Sequence, residues 1–212
     1  MYHPKNLCQE KCSALKREDV RLKREDVSDQ VQWSSFRDCM TERMHQKRHI
    51  FITGRIDAHV SQLVVAQLID LKTRSLHPIC IYINSPGGEV ASGFGIYDFI
   101  EYVKKDIVVD TICYGEALGT ASLIVAVGTP GHRIALRNSR LMIHQPWSGE
   151  IQGKVSDIVI QAKEMQNQKD ILIGLYAINV NRPVNEIANN FEHDYYMNPE
   201  QALNFGLIDK IL

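Results

Sequence analysis

Apolar and polar positions follow two alternating patterns along most of the chain. Residues 49–56 alternate apolar and polar side chains and then reach a glycine, as a β-strand followed by a turn does. Residues 58–74 instead place apolar side chains three or four positions apart, which predicts an amphipathic helix. A second strand is predicted over 79–85, and a second helix over 89–104, where two lysines mark its end.

The second half of the chain continues this alternation. It predicts a strand over 107–115, a small-residue segment that can begin a helix over 116–127, and a strand with a turn over 133–146. A long polar helix over 154–178 and a helix–turn–strand element over 183–212 follow. Strands alternating with helices of this length predict repeated β-α-β units with right-handed crossovers, so the predicted fold class is α/β.

Composition narrows the range of functions. The chain has 212 residues, 44% of them hydrophobic and 23% charged, which suits one well-packed domain and is too short for two of usual size. A formal net charge of −1 provides no overall basic field, so nucleic acid is not an expected partner. Since no apolar run approaches the ~18 residues that a membrane-spanning helix needs, no membrane partner is expected either.

Residues 1–48 differ from the rest in charge. They contain 11 Lys or Arg against 8 Asp or Glu, whereas residues 49–212 contain 13 against 17. The sequence LKREDV occurs at 15–20 and again at 22–27, an offset that places equivalent residues on adjoining sides of a helix. We expect a charged extension over 1–48, partly helical or disordered, or else an arm that packs on a neighbouring subunit. The separate domain is expected over 49–212.

The five cysteines have irregular spacing, which indicates neither a disulfide framework nor a zinc site. We therefore expect a reducing compartment, with no metal and no cofactor. Cys80 and Cys113 lie in apolar, strand-like segments, as small buried hydrophobic residues do. The N-terminal residues lack the apolar core of a secretory signal peptide.

Three segments contain candidate chemistry. NSPGG at 84–88 follows a predicted strand, and its proline and glycines form a turn that can present backbone N–H groups to an oxyanion. His144 lies between an apolar strand and a proline, where an imidazole can be held in place. Asp194 precedes two tyrosines within a third segment, 191–209. Taken singly, an ordinary tight turn and a structural histidine explain these patterns equally well.

From about His49 to Leu212, the chain resembles the Clp protease proteolytic subunit (ClpP) family, whose active members are self-compartmentalised serine peptidases. The resemblance rests on INSPGG, IYDFI, TICYGEA, NSRLMIHQP and MNPEQALNFGLIDKIL, which occur in the family's order and spacing. It implies a ClpP/crotonase-like fold of repeated β-α-β units with a protruding handle helix, and assembly into a heptameric ring.

The resemblance assigns the catalytic triad position by position. His144 falls on the base, Asp194 on the aspartate that orients it, and Gly119 on the nucleophilic serine. It therefore implies a chain without a nucleophile, which costs on the order of 10⁶ in turnover. Ser122 and Ser85 are the nearby serines that could replace it, and neither falls on the required position.

Other family positions also carry over. Gly87, Gly88 and Thr120 fall on the oxyanion-binding backbone. Glu192 and His193 fall on a contact between rings, where active members pair an arginine with an acidic residue. Because histidine is shorter and mostly neutral above pH 7, this contact should be weaker or pH-sensitive.

The resemblance favours a non-catalytic, ClpR-type subunit with a structural or regulatory role in ATP-dependent protein degradation. Its expected partners are further copies in a homo-heptamer, a catalytic ClpP paralogue, or both. A Clp-type AAA+ ATPase is expected to act indirectly, because Tyr82 matches one aromatic of the family's docking pocket whereas Cys80 replaces another. Such subunits occur in plastids, so we expect an apicoplast or chloroplast stroma or, alternatively, the cytoplasm of a cyanobacterium.

Two other functions stay open. One is an active serine peptidase that uses Ser122. The other is a crotonase-like acyl-CoA hydratase or isomerase, which also uses a paired-glycine oxyanion turn and would need a carboxylate such as Glu116 near the site.

Overall fold

The structure is a computed structural model that describes residues 40–149 and 152–212. The repeated LKREDV segments lie outside the described residues. The chain divides into two compact units, Met1–Lys47 and Arg48–Leu212. Residues 40–46 of the first unit are helical.

The second unit is built on a seven-stranded, mostly parallel sheet. Five parallel strands lie side by side in the order β1 (His49–Thr53), β2 (Ile79–Ser85), β3 (Val109–Leu118), β4 (Arg133–Ala135) and β7 (Lys210–Ile211). β5 (Arg140–Ile143) runs parallel to the end of β3, and β6 (Tyr195–Met197) pairs antiparallel with β5. With the helices between these strands, the sheet confirms the predicted α/β fold class.

The helices of this unit follow the predicted order. They are α1 (Ala58–Arg74), α2 (Val90–Lys104), α3 (Thr120–Ala126), α4 (Val155–Val180), α5 (Val184–Asn190) and α6 (Pro199–Phe205). The first begins where the Asp57 carboxylate accepts a hydrogen bond from the Val60 N–H at 2.9 Å, a favourable N-cap. In α4 the buried residues all lie from Leu172 onward, so its N-terminal half is exposed, as expected of a handle helix.

Strand alternation becomes burial in the core. Alternate isoleucines of β1 and β2 are fully buried: Ile50, Ile52, Ile79, Ile81 and Ile83. Burying an aliphatic side chain of this size stabilises a fold by about 1.5–3 kcal/mol. The intervening side chains lie on the opposite face of the sheet, which remains partly exposed.

β3 extends beyond its predicted end at residue 115. The register between β2 and β3 shifts near Asn84, whose Oδ1 accepts a hydrogen bond from the Glu116 N–H at 3.1 Å. The strand then continues beside β5, with Leu118 opposite Met142. A partner strand from later in the chain thus sets the length of β3, which local spacing could not indicate. None of the helices among the described residues is long and apolar enough to cross a membrane.

Candidate active site

The candidate site lies where β3 ends and α3 begins. Gly119 is the N-cap of α3, with φ 54° and ψ −120°, a left-handed backbone that favours glycine. Its N–H donates to the Met142 carbonyl at 2.9 Å, and its carbonyl accepts from the Ser122 N–H at 3.0 Å. These bonds fix a sharp strand-to-helix turn, the geometry in which a nucleophile elbow presents its residue.

Buried hydroxyl groups hold this elbow from behind. The Ser122 side chain is fully buried, and its Oγ lies 2.9 Å from the Gly119 carbonyl, 2.8 Å from the Met142 carbonyl and 2.7 Å from the Tyr176 hydroxyl. The Tyr176 hydroxyl donates to the Gly119 carbonyl at 2.8 Å. Burial raises the pKa of the Tyr176 phenol far above its usual value, so it acts as a neutral donor. Ser122 is therefore part of the scaffold and has no contact with solvent.

Strand register brings His144 and Asp194 together. In the antiparallel pair of β5 and β6, Ile143 lies opposite Tyr195, so the next residue along β5 faces the residue that precedes β6. His144 Nδ1 lies 3.5 Å from Asp194 Oδ1, with side chains that are 26% and 60% exposed. A carboxylate in this position favours a proton on Nδ1 and orients the imidazole.

The other imidazole nitrogen faces the elbow. An ideal Cβ atom on Gly119 would lie 2.7 Å from His144 Nε2 and 3.2 Å from its Cδ2. Non-bonded carbon and nitrogen atoms do not approach as closely as the first distance, so the ring partly fills the space of a side chain at position 119. The structure thus brings the three predicted triad positions, Gly119, His144 and Asp194, into one site.

The predicted oxyanion turn packs against the same elbow. Ideal Cβ atoms would lie 1.9 Å from the Ile56 carbonyl oxygen on Gly88 and 2.4 Å from the Leu118 carbonyl oxygen on Gly87, so neither position has room for a side chain. The Gly87 N–H donates to Ser85 Oγ at 3.1 Å. Gly87 therefore shapes the turn, and the expectation that its N–H serves an oxyanion is wrong. The Gly88 N–H has no acceptor within residues 40–149 and 152–212 and is available to a ligand.

Thr120 begins α3 on the far side of the elbow. Its side chain is only 6% exposed and packs against Gly93 of α2, where an ideal Cβ would lie 2.8 Å from Thr120 Cβ. Its Oγ1 is buried and has no hydrogen-bond partner within the described part of the chain. The side chain thus contributes packing, and the role inferred from the resemblance concerns the backbone alone.

The segment before Asp194 is tied to α4 and to β5. Lys169 Nζ donates to Glu192 Oε1 at 2.8 Å, and this hydrogen bond with the lysine charge lowers the pKa of the Glu192 carboxyl. The Gln145 N–H donates to the Phe191 carbonyl at 3.0 Å. These contacts fix the segment that carries the orienting aspartate. Sequence spacing gave no sign of Lys169 or Tyr176, because both lie inside one long helix.

An open groove adjoins the imidazole. It has a volume of about 580 Å³ and is lined by His144, Gln145, Trp147, Glu192, His193 and Asp194. The proposed ring-contact residues Glu192 and His193 are exposed along this groove. Among the described residues, no cluster of three or more His, Cys, Asp or Glu is arranged to hold a metal ion.

A second surface lies on the sheet face opposite the buried isoleucines. Tyr82 stacks on Phe51 at 5.0 Å and meets Tyr114 edge-on at 6.4 Å. Cys80, on the same strand, is partly buried, and burial raises the pKa of its thiol. The predicted docking position Tyr82 is thus part of an aromatic row that lies beside Cys80.

A comparison with known protein families matches residues 34–212 to the family described as Clp protease. The chain belongs to the Clp protease family. The match begins within the predicted N-terminal extension, at residue 34. Clp proteases are serine peptidases with a role in proteolysis, and ClpP-family proteins form rings with Clp ATPases. Family membership therefore agrees with the position-by-position reading of His144 and Asp194, and it favours a peptidase ancestry over the hydratase alternative that relied on Glu116.

Proposed function

We propose that this chain is a non-catalytic, ClpR-type subunit of a Clp protease ring. The observation that supports the proposal best is Gly119 at the elbow, with His144 Nε2 2.7 Å from the position of a missing Cβ. A serine peptidase needs a hydroxyl beside its base, and glycine supplies none. Ser122 cannot take over in this arrangement, because it is fully buried and its hydroxyl is engaged by the elbow and Tyr176.

The remaining parts of the site cannot substitute for the nucleophile. His144, Asp194 and the Gly88 N–H can orient a substrate and stabilise charge, but no acyl-enzyme bond can form without an attacking oxygen. Removing the nucleophile of a serine-protease triad lowers turnover by on the order of 10⁶, and only binding and oxyanion stabilisation remain.

An intact framework around this position supports a structural role. The core is closed, the hydroxyl network holds the elbow, and α4 keeps an exposed N-terminal half that can contact neighbouring subunits. The subunit would form part of the wall of the degradation chamber, beside further copies or catalytic ClpP paralogues, with the AAA+ ATPase engaged indirectly. The same proposal places it in a plastid, which rests on its resemblance to ClpR-type subunits.

The test is hydrolysis of a fluorogenic peptide by the purified full chain, on the size-exclusion fraction that corresponds to rings. We expect no turnover by the parent chain or by Ser122→Ala. Gly119→Ser serves as the matched variant, since it restores the hydroxyl at the elbow and leaves the rest of the site unchanged. Turnover by the parent that Ser122→Ala abolishes, together with labelling by a serine-reactive phosphonate, would overturn the proposal.

Ring composition is tested separately. Native mass spectrometry of tagged chain isolated from its own source should show rings that contain this subunit, alone or with a catalytic paralogue. A monomer under conditions that preserve such rings would contradict the structural role.

A further inference from the structure

We infer that the site around Gly119 binds the C-terminal carboxylate of a peptide and holds it without cutting. The inference rests on the proposed function, because it requires that position 119 carries no nucleophile. It adds a ligand class to that function: peptides with a free C-terminus.

Two donors converge on the elbow. His144 Nε2 is the atom nearest to the empty Cβ position of Gly119, at 2.7 Å. The NSPGG turn lies against the residues on both sides of that glycine, since an ideal Cβ on Gly87 would lie 2.4 Å from the Leu118 oxygen and 3.4 Å from the Thr120 nitrogen. The next residue in this turn, Gly88, has an N–H with no acceptor in the described part of the chain. A ligand at the elbow can therefore meet a backbone N–H on one side and an imidazole on the other.

A carboxylate uses both donors at once. One oxygen accepts from the Gly88 N–H, and the second accepts from Nε2 of a protonated His144. Asp194 Oδ1, 3.5 Å from Nδ1, stabilises the imidazolium from behind. The glycine matters here, because a serine hydroxyl at position 119 would occupy the place of the second oxygen.

The charges around the groove permit an anion. The carboxylate of Glu192 is paired with Lys169 Nζ at 2.8 Å, and that of Asp194 with His144. Both carboxylates that line the groove therefore have a cationic partner, and the ligand meets no unpaired negative charge among the lining residues. An amide in place of the carboxylate loses the charge and replaces one acceptor by a donor, so it should bind less tightly.

This ligand class fits a place in a reaction sequence. Free C-terminal carboxylates are created whenever a peptide bond is hydrolysed, so peptide products of a hydrolytic neighbour are the ligands with the required chemistry. A subunit that binds them retains products at the chamber wall.

The experiment compares two probes on the purified ring fraction of the full chain. One is N-terminally fluorescein-labelled Ala-Ala-Leu with a free carboxylate, and the other is the same tripeptide as its C-terminal amide. Fluorescence anisotropy should give about a tenfold lower Kd for the carboxylate, as expected when a charge-assisted hydrogen bond is gained. His144→Phe should abolish the difference, whereas His132→Phe should retain it. His132 is a suitable control, since it too pairs with a carboxylate, that of Asp110 at 2.6 Å.

Gly119→Ser provides a second arm that does not depend on removing the histidine. The added hydroxyl should weaken carboxylate binding toward the level of the amide, whether or not this variant hydrolyses peptides. Equal affinity of the parent for the two probes would sink the inference and leave the absence of turnover untouched. Conversely, hydrolysis by the parent chain would refute the proposed function even if carboxylates bind more tightly.

Discussion

His144 Nε2 lies 2.7 Å from the point that a Cβ atom on Gly119 would occupy. The present ring position and any side chain at residue 119 therefore exclude each other. Glycine at the elbow is thus a packing feature of this chain as well as a chemical one, since the imidazole rests where a nucleophile would be attached.

Gly119→Ala should destabilise the fold through two separate effects. The left-handed backbone alone costs about 1–2 kcal/mol for a residue with a Cβ, and the contact with His144 adds about 1–3 kcal/mol for overpacking. Gly131→Ala is the matched control, because Gly131 has φ 86° and an ideal Cβ there meets nothing within 4 Å. Urea unfolding of each variant should show the larger loss for Gly119→Ala.

The imidazole contact can be isolated with a double-mutant cycle. His144→Ala removes the ring, so Gly119→Ala should cost less in that background, by about the overpacking part of 1–3 kcal/mol. If both glycine variants lose equal stability, or the cycle is additive, the ring does not occupy the Cβ space.

Tyr176→Phe should alter the environment of His144 without unfolding the protein. It deletes the hydroxyl that donates to the Gly119 carbonyl and contacts Ser122 Oγ, at a cost of about 1–2 kcal/mol for the loss of buried hydrogen bonds. The His144 side-chain resonances should shift in NMR spectra, because the elbow relaxes beneath the ring.

Tyr97→Phe is the control for this variant. The Tyr97 hydroxyl accepts a hydrogen bond from Asn179 Nδ2 at 2.9 Å, so it too belongs to a buried tyrosine bonded to α4. It should cost similar stability and leave the His144 resonances unchanged. Equal shifts in both variants would mean that the hydroxyl network has no specific link to the elbow.

Asp209 should contribute stability that disappears in acid. Burial opposes its ionisation, but hydrogen bonds from Arg133 and the Gly131 N–H, with the Arg133 charge, prevail and lower its pKa from the usual 3.8. The contribution is therefore complete above pH 3.8 and is lost as the pH falls through the lower folded-state pKa. Asp209→Asn should reduce stability at pH 7 and flatten the acid limb of urea unfolding below pH 4. An unchanged acid limb would show that the pair is not coupled to folding.

Cys113 should resist alkylation in the folded chain. Its side chain is fully buried, and burial is the main cause that raises the pKa of the thiol to about 11. Iodoacetamide at pH 8, followed by peptide mass spectrometry, should leave Cys113 unmodified until urea is added. Cys80, which is partly exposed, should react first. Labelling of Cys113 as fast as Cys80 without denaturant would place the thiol outside the core.

The sequence alone was sufficient for the elements and their class. Strand alternation and helical spacing are local properties of the chain, so the helix over Ala58–Arg74 and the strand over Ile79–Ser85 were predicted at their observed bounds. Where the partner is distant, the same reasoning failed. β3 runs to Leu118 because β5 pairs with its end, and no local pattern contains that information.

The same division holds for the site. The residue types at positions 119, 144 and 194 and the turn at 84–88 are written in the sequence, and with them the proposed absence of a nucleophile. Only the folded chain decided that the Gly87 N–H is used by Ser85, that Ser122 is sealed behind Tyr176, and that His144 lies against Gly119. Each of these outcomes depends on contacts between segments far apart in the chain, where strand register and packing, rather than local spacing, set which atoms meet.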